Sequence, residues 1–287
     1  MNALYHSKHW LKKVRWQGRR AIAALRWGAG SLQATPAVLA NAMPKSGSHL
    51  IYQIVQGLKR VGPFVNPGFP PVNRDEFNDK LVDQDILANL IRMHPGDVAY
   101  GYIKARSPFT SLLTQSDRAM IFVYRDPRDM IVSHVFYATQ MHAGHGMHSY
   151  YTQTLKNMEE RIQAAIKGVD EPGSELSPIS MKYDGYLGWL DQPAVLCLRF
   201  EELILEREQV LERILDYLVK RGFKPSLPRK QELELLQRSI RPHKSGTFRK
   251  GHPGNWRDHF TEANKIFFKQ MSGNLLIRLG YEESSDW

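Results

Sequence analysis

Lys45, Ser46, Gly47, Ser48 and His49 sit between an apolar run, Ala37 to Met43, and a second apolar series at helical spacing. A chain turning from a buried strand into a helix aims backbone N–H groups at the turn, where the helix dipole adds partial positive charge. A lysine ammonium and two hydroxyls at that point are groups that hold a phosphate-like anion. Arg125-Asp126-Pro127-Arg128-Asp129, after the apolar run Ala119 to Tyr124, repeats the design, with Ser133 two helical turns beyond Arg125. A guanidinium fork and a hydroxyl suit a terminal phosphate. With a third basic turn at Phe248-Arg249-Lys250-Gly251, the pattern points to a ligand charged at both ends.

Each turn also has a plainer reading. Pro44 to His49 is shorter than a Walker A loop, and a tight turn with Ser46 or Ser48 capping the next helix explains it equally well. Asp126 can cap a helix that Pro127 opens, with Asp129 favouring the positive end of the dipole, so Arg128 and Asp129 are explained as scaffold. Arg125, at the strand end, is not. The glycines and cations from Phe248 to Phe260 require a loop, which alone reads as a basic surface patch.

Elements that would hold these turns alternate along the chain. Ala37 to Met43, Ala119 to Tyr124 and Ala194 to Phe200 read as buried strands, and Asp97 to Ile103 as a shorter one. Helical spacing follows at Leu50, Ile51, Ile54, Val55 and Leu58, over Asp79 to Met93, through Met130 to Tyr137, and from Glu201 to about Arg221. This alternation predicts an α/β fold, a central parallel sheet flanked by helices. Gly62 to Asn73 is a Pro/Gly-rich loop, and Gly168 to Tyr183 also reads as loop. His142, His145 and His148, beside Gly144 and Gly146, read as a loop rather than a metal site, so no metal is expected.

The three turns together resemble the signatures of sulfotransferases that use 3′-phosphoadenosine-5′-phosphosulfate (PAPS). Pro44 to Leu50 is similar to PKSGTTW or PKSGTHL, Tyr124 to His134 to YRDPRDVxVSH, and Arg249 to Thr261 to RKGxxGDWRNHFT, with Asn255 and Asp258 replacing the family's Asp and Asn. The order and spacing match, from Pro36 to about Leu279. The resemblance implies a P-loop-like nucleotide-binding architecture, a sulfotransferase-like domain over 35–287 after a basic segment 1–34, and PAPS as sulfonate donor. It makes Lys45 the group at the bridging oxygen and sulfonate, with Ser46, Gly47, Ser48 and His49 around the 5′-phosphate. Arg125 and Ser133 would hold the 3′-phosphate with Arg249, Lys250 and Gly251, and Phe200 replaces a tyrosine that touches adenine. The family's histidine base has Tyr102 at its position; a shifted register offers Lys104 or Arg106, and His94 and His49 are further candidates. A tyrosine titrates at about 10 in water and serves as a base at neutral pH only beside cations. A catalytically impaired nucleotide-binding adaptor and a P-loop kinase are the alternatives.

Charge is placed unevenly. No Asp or Glu precedes Asp75, while 11 Lys and Arg do; removing those 11 from 39 leaves 28 basic against 29 acidic residues in the remainder. A nucleic-acid binder would more often spread its charge over the folded body, so nucleic acid is not an expected partner. Between Lys8 and Arg26, Leu11, Val14, Ile22 and Leu25 recur near helical spacing, with Lys12, Arg15, Arg19 and Arg26 opposite and Trp10, Trp16 and Trp27 as interfacial aromatics. This reads either as a helix on an anionic membrane surface or as a solvated helix with one face on the domain. No run reaches the roughly 18 apolar residues of a spanning helix, and Cys197 stands alone, so a cytoplasmic or membrane-peripheral protein is expected. The acceptor, a small molecule, lipid or carbohydrate, is not specified by these residues.

Overall fold

The computed structural model of the protein describes residues 2–241 and 252–287. They form two compact units, residues 2–124 with 188–241, and residues 125–187 with 252–287. The first unit runs through α1 (Asn2–Trp27), α2 (Ala29–Ala34), β1 (Ala37–Ala42), α3 (Ser48–Gly57), α4 (Asp83–Ile91), β2 (Val98–Gly101), α5 (Phe109–Leu113) and β3 (Arg118–Tyr124). The second contributes α6 (Pro127–Phe136), α7 (Met158–Lys167) and α8 (Ile179–Leu187). The chain returns to the first for β4 (Val195–Arg199), α9 (Phe200–Leu205), α10 (Arg207–Lys220) and α11 (Arg229–Gln237), and ends in the second with α12 (Glu262–Ser272) and α13 (Leu275–Arg278).

Among the described residues four strands form one parallel sheet, ordered β2-β1-β3-β4. Every residue of β1 and β3 is buried, which is why both read as unbroken apolar runs. Val38, Ala40 and Ala42 pack with Ile51, Ile54 and Val55 of α3 and with Val210, Leu211, Ile214 and Leu218 of α10, in one core. Burying each of these Val, Ile and Leu side chains contributes about 1.5–3 kcal/mol. Because the strands are parallel, the turn after β1, Tyr102 after β2 and Phe200 after β4 share one edge of the sheet.

Three expectations change. The helix from Glu201 to Arg221 is two helices, broken at Glu206, whose backbone (φ −124°, ψ 40°) leaves the helical region. The Gly168 to Tyr183 loop gives way at Ile179 to α8, whose first turns are buried through Ile179 and Tyr183. On α1, the face that packs carries Trp16 and Ala23, not Leu11, Val14, Ile22 and Leu25, which are exposed. Trp16 is therefore no interfacial aromatic: its Nε1 donates to Asp97 Oδ1 at 3.0 Å. Burial leads, over that bond and Arg20, in raising the Asp97 carboxyl above its usual range.

In the second unit, Asp126 caps α6 as expected, accepting from Arg128 N at 2.9 Å, with Pro127 in the first turn. Arg128 is buried between Trp256 and Trp287, 4.0 and 4.4 Å from their ring centroids, and bonds Asp126 and Glu282. Asp129 accepts from the amides of Gly254 and Trp256, both at 2.8 Å. Both side chains are scaffold, anchoring 254–256 and 282–287 to the start of α6.

Candidate active site

The turn after β1 is shaped by its backbone. Lys45 has φ +64° and Gly47 φ +84°, both left-handed, and Gly47 is the N-cap of α3 with no side-chain cap. Neither Ser46 nor Ser48 caps the helix as the plainer reading requires. Ser46 is fully buried, and its Oγ has no hydrogen-bond partner among the described residues. The first amides of α3 have no intrahelical carbonyl to meet. A buried unpartnered hydroxyl, helix-end amides and a lysine in one turn form a donor set that fits an anion.

Gly47 also carries a steric role. A Cβ there would lie 2.5 Å from Cδ2 of Phe200, so the ring closes over the turn because position 47 has no side chain. Phe200 itself is buried in the core. His49 stands beside Lys45; desolvation first and the Lys45 charge second hold its imidazole below the ordinary range, so it stays neutral at pH 7.

Tyr102 reaches this turn from the neighbouring strand. Its hydroxyl donates to Ser48 Oγ at 3.0 Å. One turn along α3, Tyr52 packs on Tyr100 with ring centroids 4.3 Å apart and planes tilted by 39°. Burial leads in pushing the Tyr100 phenol up to about 12, so it stays protonated and is no base. Beyond that rung lies a cavity of about 280 Å³ walled by aromatic side chains, Tyr52, Phe69 and Tyr100, and by charged ones, Arg74, Glu76 and Arg92. Of the alternative bases, Arg106 pairs with Asp83, Lys104 is exposed and His94 packs against Trp16, while His49 lies in the turn itself, beside Lys45.

The segment carrying Tyr102 is held by residues the sequence reading passed over. Asn41 donates to Ile103 O at 2.9 Å and accepts from Ile103 N at 2.7 Å, extending β1 by a side chain. Trp189 Nε1 donates to the same carbonyl at 2.8 Å, and Tyr102 N donates to Asn73 Oδ1 at 3.2 Å. Gly101 admits the loop of Asn73, since a Cβ there would lie 2.6 Å from Val72. The available signal was Asn41 itself, a polar residue in an apolar strand that had to find partners. Asn41→Leu leaves Ile103 N–H buried without an acceptor and is expected to lower stability by about 2–3 kcal/mol, read from urea unfolding. A loss under 0.5 kcal/mol would show the clamp to be dispensable.

In the second unit, Arg125 is buried just ahead of α6; its Nη2 lies 3.5 Å from Asp129 and its carbonyl accepts from Tyr183 Oη at 2.7 Å. Ser133 is half-buried on α6. Arg249, Lys250 and Gly251 lie outside the described residues. Among those described, no group of His, Cys, Asp and Glu is arranged to hold a metal ion.

A mouse sulfotransferase, SULT7A1, in complex with PAP has a similar fold, with a TM-score of 0.59 at 16% identity, covering 89% of this chain and 93% of that one. Retinol dehydratase, in complex with androsterone and the inactive cofactor PAP, aligns with a TM-score of 0.56 at 15% identity, over 86% of this chain and 83% of that one. Among curated relatives, the 3-alpha-hydroxysteroid sulfotransferase of Cavia porcellus is 26% identical over 185 residues, 58% of this chain and 60% of its own. Sulfotransferase 2B1 of Mus musculus is 26% identical over 188 residues, 58% of this chain and 51% of its own. The chain thus spans between half and two thirds of the length of these relatives. The family model of the sulfotransferase domain matches residues 35–280, from the start of the sheet to the end of α13, and the chain belongs to that family.

Proposed function

We propose that this chain transfers a sulfonate group from PAPS to a hydroxyl or amine acceptor. The observation that carries the reading is the turn after β1, where Lys45, the unpartnered Ser46 hydroxyl and the α3 amides converge beside the Tyr102 hydroxyl. The donor supplies the sulfonate and a leaving phosphate oxygen on which negative charge builds. Lys45 neutralises that charge, and the rigid turn holds the phosphate so that little reorganisation is left to the reaction. Ser46, Gly47, Ser48 and His49 surround the 5′-phosphate. Arg125 and Ser133, with Arg249, Lys250 and Gly251, take the 3′-phosphate, and Phe200 offers an apolar edge to the base; these roles rest on the resemblance of the motifs. Tyr102 Oη, bonded to Ser48 Oγ, relays the acceptor proton, receiving it as its own proton passes through Ser48 Oγ to the departing phosphate oxygen.

A small molecule is the acceptor we favour; the cavity beside Tyr100 offers it both aromatic walls and charged ones, Arg74, Asp75, Glu76 and Arg92 among them, and relatives named for hydroxysteroids favour an apolar body bearing a hydroxyl. The departure from a histidine base favours one other reading, an adaptor that binds the nucleotide without chemistry. Both are tested by retention on immobilised adenosine 3′,5′-bisphosphate and by transfer of labelled sulfonate to pooled phenol, steroid, lipid and carbohydrate acceptors. Retention with label in at least one pool is expected, and Tyr102→Phe is expected to lower kcat about a hundredfold. Retention without transfer favours the adaptor; unchanged turnover removes Tyr102 from the mechanism; no retention ends the proposal.

A further inference from the structure

One face of α1 holds it to the first unit. Arg20 bonds Asp97 at 3.0 Å and Pro95 O at 2.8 Å, Arg19 reaches Asn66 O at 2.9 Å, Lys12 pairs with Glu76, and Trp16 packs on Phe69. The opposite face presents Leu11, Val14, Ile22 and Leu25, all exposed, Leu25 by 88%. Gly18 lies at the centre of this stripe, and a Cβ built there meets no atom within 4 Å. The stripe runs about 21 Å along the helix. Trp10, 63% exposed, lies along one edge, and the exposed Arg15 and Arg26 along the other.

We infer that α1 docks the chain on an anionic lipid surface, with this stripe in the acyl boundary, Trp10 at the interface and Arg15 and Arg26 among the headgroups. Charge decides the occupant. No Asp or Glu occurs between Asn2 and Trp27, nor anywhere before Asp75. A second copy pairing stripe to stripe would bring uncompensated arginines together, and the apolar stripe has no use on a nucleic acid. Anionic headgroups complement the cations and acyl chains complement the stripe. Among the described residues no helix is long and apolar enough to cross a membrane, so the helix lies in the plane. This inference does not depend on the proposed chemistry.

The full chain is expected to float with vesicles of phosphatidylcholine containing 30% phosphatidylserine, and not with phosphatidylcholine alone. Arg15→Gln with Arg26→Gln should lower partitioning about thirtyfold, the worth of two headgroup cations. Leu11→Gln with Ile22→Gln and Leu25→Gln should lower it about a hundredfold or more. Gly18→Leu fills the open position and should raise it several-fold at an unchanged urea midpoint, with still no flotation on phosphatidylcholine alone. Brominated lipids should quench the fluorescence of the wild-type chain more than that of Trp10→Phe. Absence of flotation, equal binding to neutral vesicles, unchanged binding of the stripe variant, or a dimer in solution that the stripe variant dissolves would each overturn the inference.

Discussion

Replacing Lys45 with alanine is expected to lower kcat about a thousandfold while PAP binds within about tenfold of wild type. The first figure is that for removing one preorganised group from a developing oxyanion, enlarged because the group is charged. The second follows from the remaining donors, the Ser46 hydroxyl and the α3 amides, which need no lysine. Lys45 occupies a left-handed backbone conformation, φ +64°, that is costly for any residue with a Cβ. Alanine carries the same backbone cost, so the variant should unfold at the wild-type urea midpoint. Lys45→Arg restores the charge but not the compact ammonium, and should recover only part of the rate. Single-turnover transfer of labelled sulfonate and calorimetry with PAP separate the two effects. A variant that turns over at the wild-type rate would remove Lys45 from the reaction, and with it the assignment of this turn.

How far these features were legible depended on whether one segment or several decide them. Buried parallel strands announce themselves as apolar runs, so β1 and β3 were placed to within about a residue. The turn at Lys45 was legible as a strand-to-helix turn, because an apolar run gives way to helical spacing across Gly47. The Tyr102 clamp was not, since Asn41, Asn73 and Trp189 are far apart in sequence and meet only through the sheet and its loops. Asn41 nevertheless left a trace as a polar residue in a buried strand. On α1 the periodicity was real, and of its two readings the one that packs the stripe on the domain fails. Packing selected the face where Trp16 and Arg20 reach Asp97 and where Ala23 lets the helix approach, leaving the more apolar stripe outward. A hydrophobic pattern reports that a face will be covered, not what covers it.

Gly47→Ala tests whether the turn is as tightly determined as its geometry implies. The added Cβ would stand 2.5 Å from Cδ2 and 3.0 Å from Cε2 of Phe200, in a residue whose φ is +84°. The backbone part should cost about 1–2 kcal/mol. The contact adds more, because the ring is buried and cannot simply swing away. A total loss of about 3 kcal/mol is expected from urea unfolding, with PAP affinity reduced at least tenfold as the displaced turn misaligns its amides. Phe200→Leu in the same chain separates the terms. The smaller side chain removes the clash but not the backbone strain, so the double variant should recover about 1–2 kcal/mol relative to the sum of the single ones. Strict additivity would mean that the ring and the turn do not touch. Gly47→Ala with wild-type stability would mean that the turn relaxes freely, and a turn that relaxes freely could not hold a phosphate in line for transfer.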